Sequence, residues 1–251
     1  MNDSTGVFDA YSKYYDIVYR DKDYASEASY ISSILKESGV IQGSLLEFGS
    51  GTGMHAALLV EDGYVIHGIE RSPEMVARAI VKDNFSCEVG DICEVSLGRK
   101  YDAVLSLFHV ISYQVSNQDV INVFSRANEH LDTGGLFVFD CWYSPAVYDQ
   151  KPEVRVKRVS DDSIEVTRIA EPEIYVNENR VDVNYTIFVR DKALNDTAVL
   201  NETHAMRHFS APEIALLAKL TGFEITKVEE FMTGKSVGAD TWGACFVLRK
   251  L

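Results

Sequence analysis

Four apolar runs of strand length recur early in the chain: SLLEF (44–48), YVIHGI (64–69), YDAVLSLF (101–108) and GLFVFD (135–140). Each is separated from the next by a segment with helical spacing. Strands that alternate with helices lie parallel, because the helix returns the chain to the starting edge of the sheet, and a parallel sheet needs cover on both faces. The pattern predicts an open α/β sheet. FSCEVGD (85–91) fits a further short strand between the second and third runs. The intervening helices read as HAALLVED (55–62), PEMVARAIVK (73–82) and QDVINVFSRANEHLD (118–132), the last closed by a turn at Gly134 and Gly135. Before the first strand, YASEASYISSILKESG (24–39) puts Ala28, Ile31, Ile34 and Leu35 on one helix face and stops at Gly39.

From residue 151 the period changes. VRVKRVS (154–160), SIEVTRIAEPEIYV (163–176), RVDVNYTIFVRD (180–191) and NETHAMRHFS (201–210) alternate apolar and polar residues, which predicts antiparallel strands with one wet face. APEIALLAKLTGF (211–223), EITKVEEFM (224–232) and GACFVLRK (243–250) then return to α/β character. The expected organisation is an N-terminal helical segment with an α/β core over 1–150, an antiparallel insertion over 151–207, and completion of the core over 208–251. The insertion's apolar face needs cover, so it is expected to wall an acceptor pocket or to form a subunit contact that makes a homodimer.

Composition narrows the partners. With 24 basic against 38 acidic residues the net charge is −14, a field that repels a phosphate backbone, and nucleic acid is not expected. No run of about 18 apolar residues suggests a membrane span, and the start MNDSTGVFDAYSKYYD lacks the basic and apolar stretches of a signal peptide. A cytoplasmic protein acting on a small molecule is the expectation. Cys87, Cys93, Cys141 and Cys245 are too scattered for paired metal ligands, and His55 and His67 lack partner ligands at metal spacing, so no metal is expected.

The segment LLEFGSGTG (45–53) packs Gly49, Gly51 and Gly53 between a strand and a helix. Bare backbone at a helix N-terminus lets a ligand lie close. A nicotinamide-dependent oxidoreductase would show another glycine three positions after the second, where this chain has Met54. What stands instead is Glu47 ahead of three alternating glycines, with Glu70 ending the second strand and Asp91 ending the next. Carboxylates at that edge can accept ribose hydroxyls and an adenine amino group.

These residues resemble the class I S-adenosylmethionine-dependent methyltransferases, whose motifs match LLEFGSGTG, VIHGIERSPEMVARA, VGDI and YDAVLSLFHVISY in order. The resemblance implies a Rossmann-like fold, a mainly parallel sheet flanked by helices with the antiparallel β insertion added. It implies that Glu47, Gly49, Gly51 and Gly53 face the methionine part of S-adenosylmethionine and that Glu70 takes the ribose. Asp91 and Ile92 would frame the adenine, with Met75 packed on its ring and Arg71 and Phe108 bordering the ligand. More loosely, YYDIVYRDKDYASEA, DCWYSP and HAMRHFSAPEIALLAKLTGF resemble the N-methyltransferases of nucleotide-linked amino sugars. Where those enzymes carry a His after the fourth strand, Tyr113 stands in this chain.

Methyl transfer from a sulfonium is a direct displacement by an already activated donor, so the protein's work is mainly alignment. An amine acceptor loses its proton readily near neutral pH, whereas a hydroxyl needs a base. Base candidates are His109 and Tyr113 after the fourth strand and His208 after the insertion. Tyr14, Tyr15, Tyr19 and Tyr24 form an aromatic group able to close over the ligand, Tyr15 and Tyr24 toward the cofactor and Tyr14 toward the acceptor. Trp142 and Tyr143 can stack on an acceptor ring. The favoured reading is methylation of an amino group on a nucleotide-linked sugar; O-methylation of a sugar or other small molecule, or a cofactor-binding protein without catalysis, are the alternatives.

Overall fold

The computed structural model describes residues 17–251. Tyr14 and Tyr15 lie outside the described residues. Two compact units are present among them: residues 23–150 with 208–251, and residues 17–22 with 151–207.

The larger unit is built on a seven-stranded sheet. Its strands are β1 (Gly43–Phe48), β2 (Tyr64–Glu70), β3 (Phe85–Val89), β4 (Tyr101–Ser106), β5 (Leu131–Trp142), β10 (Phe223–Glu230) and β11 (Gly243–Lys250), in the spatial order β10-β11-β5-β4-β1-β2-β3. The five strands from β3 to β5 run parallel, and β11 pairs antiparallel with both β5 and β10. Neighbouring residues on one strand feed opposite faces. Leu45, Ala103, Leu105, Leu136 and Val138 pack against helices α1 (Tyr24–Glu37) and α2 (Met54–Glu61). Leu46, Phe48, Val104, Phe137 and Phe139 pack against α4 (Asn117–Glu129) and α6 (Ala211–Leu220), so the central strands are apolar on both sides, as parallel strands must be.

Caps written into the sequence start the helices. The Asp23 carboxylate accepts from the Ser26 amide at 2.9 Å ahead of α1, and Ser116 Oγ accepts from the Asp119 amide at 3.0 Å ahead of α4. Ser72 and Pro73 open α3 (Pro73–Ala77), where Ser72 Oγ accepts from the Met75 amide at 3.3 Å.

Several boundaries differ from expectation, each through a tertiary contact. The helix expected over 73–82 stops at Ala77, because the Ile80 amide donates to the Thr52 carbonyl at 3.0 Å and Lys82 Nζ donates to the Ala57 carbonyl at 2.6 Å. Those bonds pull the chain off the helix path. Gly134 and Gly135 do not close a turn after α4; they lie within β5, where the pairing jumps from Tyr101–Leu131 to Ala103–Leu136 and Gly134 takes φ +89°. β5 also runs past Asp140 to Trp142 because β11 pairs with it as far as Gly243.

The smaller unit is a four-stranded antiparallel sheet of β6 (Arg155–Ser160), β7 (Ile164–Tyr175), β8 (Arg180–Asp191) and β9 (Asp196–Arg207), in sequence order. Val159, Val166, Ile187 and Val189 are buried on one face, with Val18 beside them. Among the described residues no helix is long and apolar enough to cross a membrane.

The three loop glycines differ in what a side chain would meet. All have positive φ, 72°, 55° and 81° at Gly49, Gly51 and Gly53. A Cβ on Gly49 would lie 2.6 Å from both Val110 methyls, and one on Gly53 would run into the Phe85 ring, but one on Gly51 would meet nothing within 4 Å. Gly49→Ala and Gly53→Ala are therefore each expected to destabilise the fold by at least about 1–3 kcal/mol, the cost of the strained backbone alone, and Gly51→Ala by less than either. Urea unfolding of the three variants ranks them.

Candidate active site

Glu47, Glu70, Asp91 and Asp140 all belong to the edge of the sheet where its parallel strands end. Glu47 is the next-to-last residue of β1 and 2% exposed. Its Oε1 is 4.0 Å from His55 Nδ1, and its Oε2 is buried with no hydrogen-bond partner among the described residues. Burial pushes the Glu47 carboxyl up to about 8, and the nearby Glu70 charge adds to the shift. His55, on α2, turns its Nε2 to Glu27 Oε2 at 2.7 Å, while the Tyr24 ring meets the imidazole edge-on at 5.0 Å. Tyr24 thus touches the group behind the glycine loop, and Glu27 and His55 form a polar chain to Glu47 that sequence spacing did not reveal. The i, i+3 placement of Tyr24 and Glu27 on one helix face was the available signal.

Glu70 closes the other side of the loop. Its Oε2 accepts from the Gly51 amide and its Oε1 from the Ser72 amide, both at 2.9 Å. Each oxygen keeps a lone pair for a further donor. Asp91 Oδ1 accepts from the Cys93 amide at 2.8 Å, while Arg71 approaches its Oδ2 at 3.8 Å. Met75 and Ile92 are buried, Ile92 in the cluster that holds Phe48 and Ile69.

β4 stops at Ser106, two residues short of the expected end. Phe108 and His109 follow in left-handed backbone, φ 62° and 60°, and a 3-10 turn, Val110–Tyr113, carries Tyr113. The bend is held by Asp140: its Oδ2 accepts from the His109 amide at 3.1 Å and lies 2.6 Å from His109 Nδ1. The ring approaches that oxygen off the N–H line, a close contact rather than an aligned hydrogen bond. Trp142, last in β5, meets the His109 ring edge-on at 6.4 Å, and its amide donates to Ser112 Oγ at 3.4 Å.

Other candidates occupy different settings. His208 is fully buried, its Nδ1 2.8 Å from Ser144 Oγ and its ring edge-on to Tyr148 at 5.0 Å. Tyr143 caps α5 (Ser144–Asp149) and is buried in the core cluster, where desolvation pushes its hydroxyl up. Tyr19 belongs to the smaller unit, where Arg168 Nη1 donates to its hydroxyl at 3.1 Å.

The arrangement can hold a ligand that lies over Gly51, offers a cationic group to Glu47 and presents hydroxyl or amino donors to Glu70 and Asp91. Because the folded state holds the Glu47 proton above the ordinary carboxylate range, stability of the unliganded protein falls as pH climbs from about 4.5 to about 8. Glu47→Gln is expected to melt higher than the parent at pH 9 and alike at pH ~4. The same variant should bind a cationic ligand roughly 10- to 100-fold more weakly, the scale of a hydrogen bond to a charged group. Scanning calorimetry and titration calorimetry read the two effects separately.

Comparison with known proteins gives a profile described as "Methyltransferase domain", which matches residues 18–228. A dTDP-3-amino-3,4,6-trideoxy-alpha-D-glucopyranose N,N-dimethyltransferase of Streptomyces venezuelae is 26% identical over 226 residues, 89% of this chain and 94% of its own. A dTDP-3-amino-3,6-dideoxy-alpha-D-glucopyranose N,N-dimethyltransferase of Streptomyces fradiae is 25% identical over 227 residues, 89% of this chain and 86% of its own. Among solved structures, the sugar N-methyltransferase KedS8 from Streptoalloteichus sp. superposes with a TM-score of 0.80 at 24% identity, covering 96% of this chain and 92% of that one.

Proposed function

The chain belongs to the methyltransferase-domain family, and on that premise we propose that it methylates the amino group of a nucleotide-linked amino sugar with S-adenosylmethionine as donor. The buried Glu47 oxygen without a partner among the described residues, four residues ahead of Gly51 and the open space over it, carries the cofactor assignment. A donor with an ammonium group supplies N–H donors as well as positive charge to that oxygen, whereas the pyridinium ring of an oxidised nicotinamide dinucleotide has no N–H on its charged nitrogen. The acceptor assignment rests on the two curated relatives, which are named for dTDP-linked amino sugars and match over most of both chains.

When bound, S-adenosylmethionine supplies a methyl group activated by the sulfonium charge. The chain's own residues do the remaining work. Glu47 would hold the ammonium end, Glu70 the ribose hydroxyls and Asp91 the adenine amino group, with Ile92, Met75, Arg71 and Phe108 bordering the adenosine. Gly51 leaves the backbone bare where the ligand passes. Tyr15 and Tyr24 would complete the cofactor side, and Tyr14, Trp142 and Tyr143 the acceptor side. Alignment of acceptor and methyl carbon is the main source of rate, worth up to about 7–11 kcal/mol. The four-stranded unit, with Val159, Val166, Ile187 and Val189 on one face, is part of the proposal as acceptor wall or contact with a second copy. A cytoplasmic location belongs to the same reading, since nucleotide-linked sugars are cytoplasmic intermediates.

Thermal shift with S-adenosylhomocysteine, NAD and NADP tests the cofactor; only the first should raise the melting temperature. Mass spectrometry after incubation with dTDP-linked amino sugars and their hydroxyl counterparts tests the acceptor. One or two added methyl groups on the amino sugars are expected. Methylation confined to the hydroxyl sugars would replace the reading with O-methylation, and binding without turnover of any acceptor would favour a non-catalytic role. Gly51→Val is expected to stay folded and lose S-adenosylhomocysteine binding, as read by circular dichroism and calorimetry.

A further inference from the structure

The backbone between β4 and the 3-10 turn is strained where no glycine relieves it. Phe108 and His109 are consecutive non-glycine residues in left-handed conformation, at about 1–3 kcal/mol each. What holds them is Asp140, whose side chain is 1% exposed and whose Oδ2 takes the His109 amide while approaching the His109 ring at 2.6 Å. His109 is the more open partner, its side chain 25% exposed. The pairing is set by the sheet: Ser106 of β4 is in register with Phe139 of β5, so the residues that follow meet just past the edge.

The surroundings isolate the pair. Asp140 is the charged group in contact with His109 among the described residues. The thiols near its carboxylate, Cys141 on β5 and Cys245 on β11, are kept neutral by burial, Cys245 pushed up to about 12. Around the ring stand the Phe108 and Trp142 side chains, and on β11 the space beside Gly243, where an added Cβ would come 3.7 Å from His109 Cε1. One carboxylate, buried and 2.6 Å from Nδ1, therefore sets which ring nitrogen carries the proton.

We propose that Asp140 is a positioning residue that holds the His109 proton on Nδ1, leaving Nε2 bare to take the proton that the acceptor amine must shed. This rests on the amine reading of the acceptor. An amino sugar reaches the site largely as an ammonium ion, which has no lone pair to donate. Transfer of one N–H proton to Nε2 makes the ring an imidazolium beside the Asp140 carboxylate and frees the nitrogen lone pair. That pair forms the new N–C bond as the donor's C–S bond breaks with its electrons going to sulfur. The proton then leaves His109 for water. The poor alignment of Nδ1–H on Oδ2 is the kind that tightens when the ring becomes charged.

The test uses Asp140→Asn and His109→Asn in the full chain. In the unliganded protein, nitrogen-15 NMR of the imidazoles should show His109 as the Nδ1–H tautomer in the parent and shifted toward Nε2–H in Asp140→Asn, since an amide can turn a donor toward Nδ1. An unchanged tautomer overturns the role of Asp140, whatever the acceptor proves to be. With a dTDP-linked amino sugar, His109→Asn should lose about 10²-fold or more in kcat on the acid side. It should fall less than about tenfold at a pH where the amine arrives neutral and alignment alone carries the rate. Asp140→Asn should follow the same trend more weakly. A loss of equal size at every pH overturns the proton-acceptor role of His109. S-adenosylhomocysteine affinity should stay within about twofold in both variants. If the parent binds that ligand but turns over no amino sugar, the acceptor reading fails by itself, and the tautomer still decides the Asp140–His109 pairing.

Discussion

The sheet edge where the parallel strands end depends on one carboxylate that ties two turns together. Glu70, at the end of β2, takes the Gly51 amide on one oxygen and the Ser72 amide on the other. The first bond fixes the glycine loop leaving β1, and the second fixes the turn whose serine caps α3 and seats Met75. Bonds from backbone amides to an ionised acid are roughly twice as strong as neutral ones, so a single side chain can position both loops without filling the space over Gly51. The cost falls on Glu47. Buried, and with the Glu70 charge nearby, Glu47 keeps its proton to about pH 8, and a positively charged ligand is the partner that reverses this.

The same edge handles positive φ in two ways. After β1 the chain turns through three glycines, and the absence of side chains makes room for Val110 and for Phe85 and, at Gly51, leaves the backbone open. After β4 it turns through Phe108 and His109, where side chains are retained and strain is offset by the Asp140 contacts. The two loops also pack on each other, since Val110 occupies the space that a Gly49 side chain would fill. The bare glycine loop and the side-chain-bearing bend are thereby held side by side.

Much of this was legible in the sequence because it rests on local rules. Apolar runs alternating with helical spacing specify parallel strands, and period two after residue 151 specifies the antiparallel sheet. Glu47, Glu70 and Asp91 were visible because the end of a strand is visible, and in an open α/β sheet that is where ligands go. The helix expected over 73–82 and the turn expected at Gly134 failed for a shared reason: Thr52, Ala57 and the β4 ladder supply hydrogen bonds from distant parts of the chain, and these outweigh local propensity.

The sequence by itself determined the layered α/β architecture and the acids along one edge, since hydrophobic period and glycine spacing act over a few residues and survive in any context. Only the tertiary structure decided which acids are tied, which is orphaned and which holds a histidine. Glu47, Glu70 and Asp140 are the same chemistry on paper. Sheet register sets one beside His55 in a dry interior, one against two free amides, and one beneath a strained bend on the neighbouring strand. Burial and the placement of groups far apart in sequence give each carboxylate its partners, and no local pattern encodes them.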